Sequence, residues 1–325
     1  MRVLMLLIDG AQRGDYKGLS FVKDALEHGL VNNTPIGMET NSLTCIMNIL
    51  GVFPQDIPTG RSFLEAVASG NEVSQNDLVF RCNGVSIEDM TLSSSCVCKE
   101  LPVLNENVKI VPLGGYKNLL VIKNGRNYFD SIKTVPPHDH IGEDIKTLLP
   151  QSDNPQLQGF LRELIETHQL WPWGQAIKTE IPTFYELHKL TGAVVCKTEV
   201  VKGIAKEMDM FCPDIKHTTA DTDTDLLEKS KVALELSRKY DLTVLHINGA
   251  DEAAHRKDQA QKRKFIQKID TEVVSFLLKN LSLETALIIT SDHATDAKTG
   301  KHNNEPVDYY SFNKNKECKR WLKQL

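Results

Sequence analysis

"ALIITSDHAT", residues 286–295, decides the fold. Ala286 to Thr290 lack the apolar/polar alternation of a half-exposed strand, and the run is too short for a long helix. Such a run reads as a strand covered on both faces, the habit of parallel sheets. It runs straight into Asp292 and His293, and a second imidazole, His302, follows nine residues later. Open parallel α/β sheets bind ligands at the carboxyl ends of their strands. The stretch therefore predicts both the sheet and the edge at which chemistry collects.

Three further runs have the same character: Val3 to Ile8, Ala193 to Cys196 and Leu242 to Ile247. Helical patterns lie between them, at Val201 to Met208, Asp223 to Tyr240 and Asp258 to Lys279. The last places Phe265, Ile266, Ile269, Val273 and Leu277 on one face. Strands alternating with helices predict an α/β core with a mostly parallel sheet flanked by helices. Val3 to Ile8 ends in Asp9. Leu242 to Ile247 ends in "NGADEAAH", which carries Asp251 and His255, four residues apart and on one face of any helix begun there. Three strand ends thus supply three Asp and three His. Six such groups exceed what one ion needs, so the pattern predicts two divalent ions, with Mn²⁺, Zn²⁺ and Mg²⁺ all suited to carboxylate and imidazole.

The middle of the chain is different. Short runs at Leu78 to Arg81, Val108 to Val111 and Leu119 to Ile122 read as strands, and 141–149 and 155–166 as helices, with prolines at 136, 137, 150 and 172. This predicts a smaller α+β domain, 76–182, inserted between core segments 1–75 and 183–325.

The 325 residues are 41% hydrophobic and 25% charged, ordinary globular values, and suffice for a large core without disulfide staples. A net charge of -5 and a pI near 6.1 disfavour a broad nucleic-acid surface. No run approaches the ~18 apolar residues of a membrane span. The seven cysteines (Cys45, Cys82, Cys96, Cys98, Cys196, Cys212 and Cys318) lack metal-finger spacing and read as reduced thiols. A soluble, cytoplasmic protein acting on a small metabolite is expected, with no nucleic-acid or membrane partner.

Two ions want a nucleophile. "IGMETNSLTCIMNILG", residues 36–51, places Ser42 at the start of an apolar helix, where the helix N-terminus favours a phosphate. The alternative is that Ser42 or Asn41 merely caps that helix.

In order and spacing, a series of segments resembles the archaeal-type cofactor-independent (2,3-bisphosphoglycerate-independent) phosphoglycerate mutases of the alkaline phosphatase superfamily. They are "LLIDG" (6–10), "TNSLTCIMNILG" (40–51), "GRSFLEAVASG" (60–70), "LVFRCN" (78–83), "LWPWGQA" (170–176), "VVKGIAKEMDM" (200–210), "DTD" (221–223), "HINGADEAAH" (246–255) and "TSDHAT" (290–295). The resemblance implies an alkaline-phosphatase-like core with an inserted cap that serves as a lid. It implies one metal on Asp9, Ser42, Asp292 and His293, a second on Asp251, His255 and His302, and transient phosphorylation of Ser42. It makes Arg61, Arg81 and Lys202 candidate clamps for phosphate or carboxylate, and places His138 near the substrate. Mn²⁺ is favoured over Mg²⁺ or Zn²⁺, and the implied reaction is the glycolytic isomerisation of 3-phosphoglycerate to 2-phosphoglycerate.

Two departures stand out. Leu43 follows Ser42 where the family usually has an acidic residue. The family's arginine-rich stretch is replaced by the arginine-free "GVSIEDMTLSSSCVCKEL" (84–101). These keep a phosphatase or phosphodiesterase of the same superfamily, and a noncatalytic metabolite-binding homologue, as alternatives.

Overall fold

The computed structural model describes residues 2–98 and 100–312. Cys318 lies outside them. The chain forms two compact units, one comprising the chain up to Ile57 and from Ile181 onward, the other Pro58–Glu180.

The first unit opens with β1 (Arg2–Ile8) and β2 (Glu27–Val31), followed by α1 (Ser42–Ile49). The second unit then supplies α2 (Ser62–Ala68), β3 (Leu78–Glu88), β4 (Thr91–Ser95), β5 (Val108–Gly114), β6 (Lys117–Ile122), β7 (Ile132–Lys133), β8 (Gln151–Ser152), α3 (Pro155–His168) and β9 (Leu170–Ile177). The first unit resumes with α4 (Phe184–His188), β10 (Gly192–Val195), α5 (Glu199–Glu207), α6 (Leu226–Leu236), β11 (Leu242–Ile247), α7 (Gly249–His255), α8 (Gln259–Ile269) and α9 (Ser275–Asn280). It ends with β12 (Thr285–Thr290), β13 (Ala294–Asp296), β14 (Lys301–Asn303) and β15 (Val307–Ser311).

The main sheet of the first unit runs β10-β11-β1-β12-β15-β2. Its first four strands are parallel. Leu6 of β1 pairs with Leu245 of β11 on one side and Ile289 of β12 on the other. Every residue of β11 and β12 is buried, which is why these strands read as unbroken apolar runs. β15 and β2 extend the sheet antiparallel. Neither is evident in the sequence, because β2 is an edge strand that alternates half-buried with exposed residues and buries only Val31, and β15 is broken by Asp308.

Helix boundaries follow local chemistry. α6 starts at Leu226, not 223, because the Asp225 carboxylate accepts from the Glu228 amide at 2.9 Å and caps it. The helix expected over 258–279 contains a π turn at Asp270–Val274, where buried Asp270 accepts from the Ser20 amide at 2.8 Å. The helix expected at 141–149 is only a 3₁₀ turn, Ile145–Thr147. Buried Ile145 and Leu148 imitate a helical face, but Gly142 at φ +92° and Pro150 leave no room for more turns.

In the second unit β4, β3, β6 and β5 form an antiparallel sheet that β9 joins beside β3. The apolar face of α3 (Leu157, Leu161, Leu164) packs with Leu78, Phe80 and Leu120 of the sheet. Pro172 sits within β9, which pairs only with β3, so its missing N–H leaves no ladder bond unmade on the free side. α2 belongs to this unit, for Ser62 Oγ donates to the Val79 carbonyl at 2.8 Å. That contact carries the structural division back to Pro58 from the sequence-read boundary at 76.

Candidate metal centre

The site collects at the carboxyl edge of the main sheet, from elements of the first unit. β1 delivers Asp9, whose amide donates to the Ile247 carbonyl at 3.0 Å. The next residue, Gly10, has φ +73°, and a Cβ there would lie 2.7–2.8 Å from Asp251 atoms. Only glycine meets both demands. β11 leads into α7, which carries Asp251 and His255 on one face, and Arg256 ties its end to Asp221 through two 2.7 Å bonds. β12 leads into Ser291, Asp292 and His293. Ser291 Oγ lies 2.7 Å from the Ile8 carbonyl and 2.6 Å from that of His293, which fixes the turn. The β13–β14 hairpin pairs Thr295 with His302 and folds that imidazole back over the site.

Ser42 is the first residue of α1. The cap is Asn41, whose side chain accepts from the Thr44 amide at 3.1 Å. The capping role is filled, and the Ser42 hydroxyl is free for other work. Its Oγ lies 3.2 Å from His293 Nε2.

Three groups of potential ligand atoms result, each with its members within 4.8 Å of one another: Asp251, His255 and His302; Asp9, Asp251 and His293; and Asp9, His246 and Asp292. His293 Nε2 lies 3.5 Å from both Asp9 Oδ1 and Asp292 Oδ2. His255 Nε2 is 3.1 Å from Asp251 Oδ2, and His302 Nε2 is 3.7 Å from Asp251 Oδ1. All seven residues expected to bind metal therefore come together. His246 is an addition. It lies inside β11, fully buried, with Nε2 3.1 Å from Asp9 Oδ2. Its signal in the sequence was a single imidazole in an otherwise apolar strand, "LTVLHI".

These residues fit divalent cations. Asp9 and Asp292 are 0% and 1% exposed, yet none of their four carboxylate oxygens has a hydrogen-bond partner among the described residues. The close approach of His246 Nε2 to Asp9 is not aligned as a hydrogen bond. A buried carboxylate without donors costs roughly 1–3 kcal/mol or more, which a bound cation removes. Burial, then the charges of Asp292 and Asp251, push the Asp9 carboxyl well above the usual carboxylate range. Burial holds His246 down at about 4, hence neutral and able to ligate.

The second group carries the same signature. His255 Nδ1 and His302 Nδ1 face the backbone carbonyls of Gly300 and Thr40 at 2.8 and 3.0 Å. A carbonyl only accepts, so both Nδ1 atoms bear hydrogen and both Nε2 lone pairs point inward, 3.1 Å apart. Something positive must sit between them. In the cation-free chain it is a proton: the Asp251 carboxylate raises His255 to about 9, while burial and then His293 lower His302 to about 4. Burial would raise Asp251, but hydrogen bonding to His255 and the nearby imidazoles hold it well below the carboxylate range.

The candidate substrate clamps have partners of their own. Arg61 Nε and Arg81 Nε approach the two oxygens of buried Glu65 at 3.0 and 3.1 Å. The Arg81 guanidinium lies 4.3 Å above the Trp173 ring, and His138 meets that ring edge-on at 5.1 Å. These three belong to the second unit. Lys202, in α5 of the first, is paired with Asp214.

A family model described as the Metalloenzyme superfamily matches residues 19–320. A 2,3-bisphosphoglycerate-independent phosphoglycerate mutase of Methanothrix thermoacetophila is 30% identical over 314 residues, covering 86% of this chain and 79% of its own. Another from Methanococcus vannielii is 26% identical over 358 residues, covering 94% and 87%. Two solved structures share the fold. One is a protein of Pyrococcus horikoshii (TM-score 0.71, 21% identity, 95% and 87% covered). The other is the cofactor-independent phosphoglycerate mutase of Thermoplasma acidophilum (TM-score 0.57, 16% identity, 97% and 90% covered). With a buried carboxylate–imidazole cluster at the sheet edge and this extent of similarity, the chain belongs to the metalloenzyme superfamily, in the family of the 2,3-bisphosphoglycerate-independent phosphoglycerate mutases.

Proposed function

We propose that the chain is a two-metal phosphomutase that converts 3-phosphoglycerate to 2-phosphoglycerate, or acts on a closely related phosphorylated acid, through a phosphoserine at Ser42. The observation that carries this reading is Ser42 itself: a hydroxyl relieved of capping by Asn41 and set 3.2 Å from His293 Nε2 at the rim of the cluster.

Asp9, Ser42, Asp292 and His293 would hold one cation, and Asp251, His255 and His302 the other, with Mn²⁺ the favoured metal. When bound, the ions lower the pKa of the serine hydroxyl and offset charge on the transferring phosphoryl group. Ser42 Oγ then attacks phosphorus, the bond to the substrate oxygen breaks, and that oxygen takes up a proton. The neighbouring substrate hydroxyl attacks the phosphoserine in turn, loses its proton, and restores the Ser42 hydroxyl. Thr295 Oγ1 donates to Asp251 Oδ1 at 2.5 Å, so its lone pair accepts from His293 Nδ1 at 3.3 Å. His293 is thereby held in the tautomer whose Nε2 lone pair faces the reaction. Arg61, Arg81, His138 and Lys202 are the candidate contacts for the phosphate and carboxylate of the substrate.

A hydrolase is the second reading, favoured by the arginine-free segment 84–101, which offers fewer groups to retain a dephosphorylated intermediate. Phosphorus NMR of 3-phosphoglycerate with the Mn²⁺-supplemented protein separates the two. Appearance of 2-phosphoglycerate supports the mutase. Free phosphate as the main product replaces it with the hydrolase, and an unchanged spectrum with metal bound refutes both for this substrate.

A further inference from the structure

Two cysteines face each other just past the carboxyl end of β10. Cys196 directly follows β10. Cys212 follows Phe211, whose amide donates to the Gly192 carbonyl at 3.0 Å and whose carbonyl accepts from the Val194 amide at 2.8 Å. That pairing holds the two backbones side by side, and the sulfurs lie 3.7 Å apart. Both are free thiols. Cys196 is 4% exposed, whereas Cys212 is partly open to solvent. The surroundings are cationic. Lys202 stands beside the pair with Asp214 as its partner, and buried Lys229 donates to the Thr219 carbonyl at 3.0 Å.

We propose that Cys196 and Cys212 form a redox-modification site that closes reversibly into a disulfide when a small disulfide oxidant is present. The division of labour follows from exposure. Cys212 is the attacking thiol and Cys196 the resolving one. The hydrogen bond from Cys196 and the charge of Lys202 favour the Cys212 thiolate, while the same hydrogen bond and burial keep Cys196 protonated. The Cys212 thiolate attacks one sulfur of oxidised glutathione, forms a mixed disulfide and expels one glutathione thiolate. Cys196 then passes its proton to solvent and attacks Cys212 Sγ, expelling the second. Two protein thiols are oxidised by two electrons, and one glutathione disulfide is reduced to two thiols.

Closure shortens the sulfur separation to about 2.05 Å and draws the 211–214 segment toward β10. Asp214, two residues from Cys212, moves with it and shifts against Lys202. If Lys202 contacts the substrate, as the function proposed above has it, oxidation raises KM for the phosphorylated acid. That consequence rests on the functional reading, and the disulfide does not.

The test is to incubate the full chain with oxidised glutathione, quench with acid, alkylate with N-ethylmaleimide and map peptides by mass spectrometry. The expected product is a Cys196–Cys212 cross-link that dithiothreitol removes. In Cys196→Ser a glutathione adduct should accumulate on Cys212. In Cys212→Ser, oxidation at Cys196 should slow by about tenfold or more, as expected when the accessible thiolate is lost. A stable glutathione adduct on wild-type Cys212, or both thiols still alkylated when half-buried Cys96 is fully modified, overturns the site. With 3-phosphoglycerate, KM of the cross-linked protein should rise several-fold over the reduced protein. A cross-link with unchanged KM overturns the link to Lys202. Absence of turnover in both states counts against the function, while the mass readout still decides the disulfide.

Discussion

Replacing Asp9 by asparagine should change the sign of its effect on stability with the metal content of the solution. Asp9 is fully buried, its carboxylate has no donor among the described residues, and Asp292 and Asp251 add negative charge to its surroundings. In chelator, at a pH where Asp9 is ionised, Asp9→Asn removes a buried negative charge and gives Asp292 an amide donor at nearly constant volume. Relief of one unsatisfied buried group is worth roughly 1–3 kcal/mol. For a protein of this size that is on the order of 5 °C in Tm. In Mn²⁺ the order reverses. An ion at 100 times its Kd stabilises the native chain by about 2.7 kcal/mol, and a variant that cannot hold it forfeits that. The assay is paired thermal melts of wild type and Asp9→Asn in EDTA and in Mn²⁺, with bound metal measured in parallel. The linkage has a matching sign. The Asp9 carboxyl is raised in the folded chain, so its native state binds the extra proton, and stability of the cation-free protein falls as pH rises from the unfolded carboxylate value toward the folded one. A variant less stable than wild type in EDTA would mean that groups within the chain already satisfy Asp9, and the reasoning that this cluster awaits a cation would fail.

Four other outcomes follow from the same geometry. Ser42→Ala should lower kcat by at least about a thousandfold, as for loss of an activated nucleophile, with the fold and the Asp251–His255–His302 ion retained; undiminished turnover removes Ser42 from its role. His255 is raised to about 9 by Asp251, so below that pH a cation must displace its proton. Calorimetric metal affinity should climb by about tenfold per pH unit and level off near 9, and a flat profile from pH 6 to 9 contradicts the assignment. The proton on His255 stabilises the cation-free fold fully below about 6.5 and ceases to do so as pH rises through 9, so chelated Tm should decline over that interval. Gly10→Ala forces a Cβ into Asp251 at 2.7–2.8 Å and a left-handed backbone at φ +73°. It should cost at least about 1–2 kcal/mol by melting and weaken metal binding as well, and wild-type affinity would refute the tight packing.

The four parallel strands were legible because each is a buried apolar run, and six of the seven candidate ligands because β1, β11 and β12 each lead into Asp or His at one edge; Ser42 entered as a ligand through the family resemblance. His246 was not, since a ligand inside a strand leaves no mark beyond its own identity. Edge strand β2 escaped because partial exposure dilutes its apolar run, and β15 escaped because Asp308 interrupts it. β9 escaped because Pro172 reads as a break. The 141–149 helix failed where Ile145 and Leu148 kept helical spacing without the residues to complete a turn. Arg61 and Arg81 were legible as functional candidates, but their convergence on Glu65 depends on packing that no spacing encodes.

The placement of β1 between β11 and β12 has a consequence for the order of events in synthesis. Its seven residues, almost all apolar, leave the ribosome well ahead of both hydrogen-bonding neighbours, which lie more than 230 residues downstream. At roughly 5–20 residues per second the strand waits about 10–50 s with neither edge covered. Asp9 waits with it, so no metal site can exist on the nascent chain until residues 285–302 have emerged. A strand translated ahead of both its neighbours is thus among the last to find its partners. Slowing translation late in the message should lengthen the interval in which an unpaired "RVLMLLI" edge invites aggregation.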